Sequence, residues 1–360
     1  MKTKKNRSIS KKKLKSFSPY INKKLDVTSL KTRKIKPLNI CDDLLKIDIG
    51  EFNSQKCLDY NNNKVVKFLL KNLEASKHLD VSKLIPPKQI HSNCWFNTMF
   101  VTFFFSDKGR KYFRFFRNLM ITGKKYDKTE IEDIELRKLF FMLNIFIEAS
   151  YNQSLNNSKN NLIYKINNIT NGLNTNFFIK KIYDKINNKI SRSLPNIDDA
   201  GNPLEYYKRI FKYLNYNVLN ILNLNVFYKN SEKELYNLID NNFTINNEII
   251  ILEDHKSGSF YNKKYKFERN NNIYNYELDS IILTNKEHYD ENANSHFVSV
   301  LTINKKEYKF DGSSYSKLSR FNWKNMINKN IDWKFRENPK YYPELYNFTK
   351  GYKLFFYYRV

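Results

Sequence analysis

Residues 295–314 read SHFVSVLTINKKEYKFDGSS. Two runs of β-branched and aromatic residues, HFVSVLTI and KEYKF, flank Asn304-Lys305, the pattern of two antiparallel strands joined by a tight turn. Side chains alternate faces along a strand, so the loop length decides which residues share a face. With a two-residue loop, Val298 faces Asp311 directly and His296 is its diagonal neighbour, roughly 7–8 Å away and within side-chain hydrogen-bonding reach. A three-residue loop puts His296 and Asp311 on opposite faces. The same texture recurs in NVFYK, EIIILE, YKFER, YNYELDSIILT and the C-terminal YKLFFYYRV. From about residue 217 onward the chain therefore reads as a sheet lobe.

Before that point the period is helical. NKVVKFLLKNLEASKHL from Asn63, KYFRFFRNLMI, EIEDIELRKLFFMLNIFIEAS, FFIKKIYDKI and PLEYYKRIFKYL each read as one helix, with Pro203 at a first-turn position. The Asn-rich stretch 152–175 reads as a loop or an exposed helix. Helices first and strands second predict an α+β chain, a helical lobe over about 60–216 packed against an antiparallel sheet lobe over about 217–360.

The helical part contains IHSNCWFNTMFVTFFF, residues 90–105. Trp95 to Phe105 is apolar nearly all round, which marks a helix buried on every side. Cys94 stands where that helix begins, and a helix N-terminus favours negative charge on a group placed there. The alternative is a small buried cysteine serving as core. A nucleophilic cysteine needs a base, and the chain has five histidines, His78, His91, His255, His288 and His296. His91 shares the loop of Cys94, while His296 opens a strand whose hairpin partner runs into Asp311, and this pair is the candidate partner.

Composition bounds the function classes. The 360 residues are 41% hydrophobic and 16% aromatic, enough to bury a sizeable core, and carry a net charge of +27. Residues 1–36 hold 14 Lys or Arg against the single acid Asp26 and lack apolar periodicity. Residues 1–40 are accordingly read as a disordered basic tail suited to nucleic acid or another acidic partner. Cys41, Cys57 and Cys94 form no C-x-x-C pair, which argues against a disulfide framework or a cysteine zinc site and suits a reducing compartment. No apolar h-region follows the basic start, and MFVTFFF and EIIIL fall short of the roughly 18–20 residues that span a bilayer. These features predict an intracellular protein, cytoplasmic or nuclear. The abundance of Lys, Asn, Ile, Phe and Tyr suits a low-GC genome, such as that of a large DNA virus or an intracellular parasite; the viral case is the one in which a virion-associated protein is expected.

Three segments in order resemble the ubiquitin-specific protease family, a papain-like class of cysteine peptidases. QIHSNCWFNT is similar to its cysteine box N-x-G-N-T-C-Y-M-N-S, SHFVSVLTINKKEYKFDGSS to its histidine box, and GYKLFFYYRV to its closing strand A-Y-x-L-F-Y. The resemblance covers roughly residues 85–360 and implies a papain-like catalytic domain over 41–360, with no cofactor and no metal. It implies Cys94 as nucleophile, His296 as general base and acid, and Asp311 as the group orienting His296. Gln89 falls where the family has an oxyanion-hole Asn, with Asn93 as the alternative. DDAGNPLEYYKRIFKYL is similar to a family helix that lines the channel for the substrate tail, which singles out Asp199 and Glu205. The sequence departs from the family in Ser295 for Gly, Gly312 for a second Asp, and in lacking the four cysteines of its zinc-bearing fingers. The implied activity is thiol-dependent cleavage of ubiquitin or ubiquitin-like conjugates after a Gly-containing tail. The competing reading is an inactive or non-ubiquitin peptidase-fold scaffold that binds nucleic acid or a virion component through the tail.

Overall fold

A computed structural model describes residues 39–41, 43, 45–49, 57–75, 79–87, 89, 93–151, 181–186, 203–216, 220–255, 258–286, 296–313, 318–335 and 344–360. The chain is α+β. Helices α1 (Asn63–Ala75), α2 (Cys94–Phe104), α3 (Asp107–Tyr112), α4 (Arg114–Thr122), α5 (Ile134–Ser150) and α6 (Pro203–Tyr213) precede the main sheet, and residues 181–186 are also helical. α7 (Glu232–Asn242) follows the first strand of that sheet. It opens on a capping box in which Ser231 and Glu234 satisfy each other's backbone N–H groups.

The main sheet contains β4 (Ile221–Val226), β5 (Ile249–Asp254), β6 (Lys264–Arg269), β7 (Asn272–Leu283), β8 (Val298–Ile303), β9 (Lys306–Phe310), β10 (Ser319–Arg320) and β11 (Lys353–Arg359). Its order is β10-β9-β8-β7-β11-β5-β4, with β6 paired to β7. The expected all-antiparallel sheet is corrected at one edge: β4 runs parallel to β5. A parallel neighbour needs a crossover connection, and α7 supplies it. The first strand also lies upstream of the expected NVFYK, at Ile221–Val226.

Both faces of the sheet are covered, so its central strands are buried throughout; β5, β8 and nearly all of β11 show it. Ile249, Ile251, Leu301, Phe310, Leu354 and Phe356 face the layer containing α2, α4, α5 and α6. Alternate residues Ile250, Leu252, Val298, Val300, Phe355 and Tyr357 face a second core with Leu235 and Ile239 of α7 and Trp323. Every residue of α2 is buried. This helix lies between α6, where Trp95 and Phe96 meet Tyr206 and Tyr207, and the sheet, where Phe103 meets Phe356.

A further layer was not foreseen. Strands β1 (Asn39–Ile40), β2 (Lys46–Asp48) and β3 (Cys57–Asp59) form a small sheet, and Ile47 packs with Val65 and Leu69 of α1 and Phe141 of α5. β1 overlaps the end of the expected basic tail; residues 1–38 of that tail, and the Asn-rich stretch, lie outside the described residues. Within the small sheet Cys41 and Cys57 are joined by a disulfide, with Cα atoms 6.1 Å apart. This corrects the reading of three isolated cysteines and removes their support for a reducing compartment. The pairing has no local signature, because it depends on an antiparallel register that brings together residues 16 positions apart. Cys94 is a free cysteine.

Two pins set α2 against the β8–β9 hairpin. Asn304 and Lys305 have φ of 50° and 60°, the left-handed pair of a two-residue type I′ turn. Their backbone N–H groups donate to the two carboxylate oxygens of Asp107, each at 2.8 Å. Asp107 opens α3, one residue after the Ser106 cap. The turn between α2 and α3 is tight enough to require Gly109, since a Cβ there would fall 2.2 Å from the Thr102 carbonyl oxygen. At the other end, the backbone N–H of Gln89 donates to the Gly312 carbonyl at 2.9 Å. The path from Cys94 to Asp107 is about 20 Å at helical rise, and six residues of strand from Val298 to Asn304 span about 20 Å. With Asp107 pinning the far end and the Gln89 segment held at Gly312, α2 runs beside the hairpin and brings Cys94 to its open end.

Candidate active site

The hairpin register is the even-loop one. Ser299 pairs with Phe310 and Ile303 with Lys306, so the next pair outward is Val298 and Asp311. His296 lies two residues ahead of β8 and Asp311 one residue beyond β9. The imidazole Nε2 of His296 is 2.7 Å from Asp311 Oδ1. Their side chains are 13% and 6% exposed, so this charge-assisted contact is shielded from solvent.

Cys94 is 6% exposed at the first position of α2. Its thiol lies close enough to His296 to help hold up the charge of the imidazole. With Nε2 directed at Asp311, Nδ1 is the nitrogen left for sulfur. Thr98 Oγ1 donates to the Cys94 carbonyl at 3.0 Å, one helical turn on.

The electrostatics follow from these contacts. Burial opposes a charge on His296, yet hydrogen bonds with Asp311 and Cys94, and their charges, hold its pKa up at about 10. Burial likewise opposes a charge on Asp311. The hydrogen bond and charge of His296, followed by the Ser313 N–H and hydroxyl, outweigh it and bring the carboxyl down to about 2. An ionised carboxylate beside an imidazolium is the form that both shifts favour. Thiol, imidazole and carboxylate in series can move a proton from sulfur to nitrogen and hold the resulting charges.

Gln89 sits against the loop after Asp311 through its N–H to Gly312. A Cβ on Gly312 would lie 3.4 Å from Asn97 Nδ2 and 3.5 Å from Gln89 N, so α2, the Gln89 segment and the Asp311 loop converge at this glycine. Asn93 caps α2 without a side-chain cap hydrogen bond, and its Oδ1 accepts from Asn97 Nδ2 at 3.3 Å. Glu205 belongs to α6, the helix beside α2. Asp199 lies outside the described residues, as do His78, His91, His288 and Ser295. His255 is at the end of β5, stacked on Phe227 and 3.7 Å from Glu253.

Two residues at or behind the site escaped the sequence reading. Ser313 donates from its backbone N and its Oγ to Asp311 Oδ1, both at 2.8 Å. The signal was present, because a serine two residues after an aspartate has the spacing of a local side-chain turn. Asp107 carried no signal, since its partners are almost 200 residues away. Among the described residues, no three His, Cys, Asp or Glu side chains are grouped to hold a metal ion, and no helix is long and apolar enough to cross a membrane.

The site and fold together are those of an α+β chain with a helix-start cysteine, an imidazole and a carboxylate in contact. No protein-family model matches the chain, and no curated protein matches it. Among solved structures, it is similar to a chain of the SAGA Ubp8/Sgf11/Sus1/Sgf73 DUB module, at 10% identity and a TM-score of 0.42. That alignment covers 85% of this chain and 77% of the other.

Proposed function

We propose that the chain is a thiol-dependent hydrolase with a papain-like catalytic domain over residues 41–360, similar to ubiquitin-specific proteases. The observation that supports this reading is one imidazole, His296, hydrogen-bonded to the Asp311 carboxylate at 2.7 Å and acted on by the Cys94 thiol at the start of α2. In the reaction, Cys94 Sγ attacks the carbonyl carbon of a peptide or isopeptide bond. The side-chain amide of Gln89, or that of Asn93, donates to the oxyanion that forms. His296 gives its proton to the leaving amine as the C–N bond breaks, which leaves a thioester on Cys94. Water then attacks the thioester, with His296 taking its proton, and the acid product and free thiol are released. Asp311 holds the ring and its charge throughout.

The substrates assigned to this chemistry are ubiquitin or ubiquitin-like conjugates cut after a Gly-containing tail. Glu205, on the helix flanking α2, and Asp199 are assigned to that tail. Residues 1–40 are assigned to an acidic partner such as nucleic acid, on the strength of their 14 Lys and Arg. The test is a mass-shift assay with ubiquitin and ubiquitin-like proteins bearing a C-terminal electrophile. One covalent adduct is expected on the wild-type protein and none on folded Cys94→Ala. An adduct that persists in Cys94→Ala, or none with any probe, would sink the assignment.

A further inference from the structure

Ser313 has no part in the reaction as written, yet its Oγ lies 3.2 Å from His296 Nε2. The ring nitrogen that faces Asp311 therefore faces two oxygens, the carboxylate at 2.7 Å and the hydroxyl at 3.2 Å. A hydroxyl has one proton to give and lone pairs to accept with. Here the proton has a destination, because Ser313 Oγ donates to Asp311 Oδ1 at 2.8 Å. With the proton turned towards Asp311, the oxygen presents its lone-pair side to Nε2–H at 3.2 Å. The placement is built rather than incidental: Ser313 N–H binds the same carboxylate oxygen, and the preceding Gly312 carbonyl is held by the Gln89 N–H.

We propose that Ser313 is a positioning residue, the second acceptor for the Nε2–H of His296. With Asp311 it forms a two-oxygen fork that holds Nε2–H and so fixes the ring orientation that turns the other edge towards Cys94. The inference rests on the thiol chemistry proposed above. It differs from a bland role in which Ser313 only steadies Asp311. If Ser313 acted solely through Asp311, removing its hydroxyl would have no effect once Asp311 was gone. If it accepts directly from Nε2–H, removing it costs more in that background, because the carboxylate no longer shares the bond.

The experiment uses the full chain and follows alkylation of Cys94 by iodoacetamide, read on the Cys94 peptide by mass spectrometry across a pH series. Ser313→Ala is expected to slow the reaction at neutral pH about threefold in the wild-type background and about tenfold in Asp311→Ala, the worth of one hydrogen bond in each case. Ser313→Thr, which keeps the hydroxyl, is expected to restore the rate to within about twofold. Imidazole nitrogen NMR of Asp311→Ala, taken above the pH at which its ring becomes neutral, should show the proton on Nε2, and the double variant should show both tautomers. An effect of Ser313→Ala that vanishes in Asp311→Ala, with an unchanged tautomer, overturns the inference. A wild-type Cys94 that reacts like a free thiol and is indifferent to His296→Ala overturns the thiol-hydrolase reading instead. The tautomer spectrum still decides the Ser313 contact in that case, since it does not depend on sulfur chemistry.

Discussion

His296 couples the candidate site to pH. Its ordinary value of 6.5 is raised to about 10, so its contribution to stability is full below 6.5, declines as pH rises, and is lost through about 10. Asp311 has the opposite sign. Its ordinary 3.8 is lowered to about 2, so its contribution is full above 3.8 and is lost as pH falls through about 2. The two contributions are complete together between 3.8 and 6.5. In the proposed reaction the alkaline edge matters more, because the imidazolium must protonate the leaving amine. Turnover of the wild-type protein should fall as the pH passes about 10. In Asp311→Ala both a hydrogen bond and a charge are gone, so that limb should move down by about one unit or more. A pH–rate profile with the same alkaline limb in both proteins would show that Asp311 does not set the charge of His296. The approach of His296 to Asp311 was legible in the sequence on one condition, an even loop, because both residues flank one hairpin whose strands alternate faces; the structure met that condition. The approach of Cys94 was not, since nothing in the helix beginning Cys94-Trp95 says which strand end it meets.

At the scale of elements, α2 and the β8–β9 hairpin act as paired rods with Asp107 as the distal pin. Asp107→Ala removes the acceptor of two backbone N–H groups at a left-handed turn. Two charge-assisted hydrogen bonds predict a loss of about 2–3 kcal/mol. Urea unfolding should show it as a lower midpoint at unchanged slope, and Asp107→Asn, which keeps one acceptor oxygen, should fall between. A midpoint unaltered in Asp107→Ala would mean that the turn holds itself. The strands β5, β6, β7, β8, β9 and β11 were read close to their observed bounds, whereas α5 was read from Glu130, four residues ahead of its start, α1 was read on to Leu79, and the short β10 was not foreseen. The segment KYFRFFRNLMI departs further: it reads as one helix, but the chain turns at Phe113 between α3 and α4. The reason is tertiary, because Phe113 stacks on Phe103 at 3.7 Å while Tyr112 shares a hydrogen bond with Tyr216 at 2.8 Å. A helical period cannot report contacts that outweigh it.

Across the whole molecule, the disulfide belongs to a layer with a core of its own, Ile47, Val65, Leu69, Leu73, Phe141 and Ile145, apart from the two cores that sandwich the main sheet. Closing a loop of this length is worth about 3 kcal/mol, by constraint of the unfolded chain. Reduction is therefore expected to lower hydrogen-exchange protection in β2 and α1 while β5 and β11 keep theirs. Equal losses in all four would show that the layers unfold together. The sequence by itself determined what neighbours a few residues apart can determine: the α+β order, the buried helix behind Cys94, and a hairpin that joins His296 to Asp311 provided its loop is even, which the structure supplied. These rest on periods of 3.6 and 2 and on turn chemistry, all local properties. Only the tertiary structure decided the Cys41–Cys57 bond, the parallel seat of β4 beside β5, Asp107 under a turn 197 residues on, and the junction of Gln89 with Gly312. Each joins segments whose spacing carries no period, and partners of that kind are chosen by the packing of a whole core.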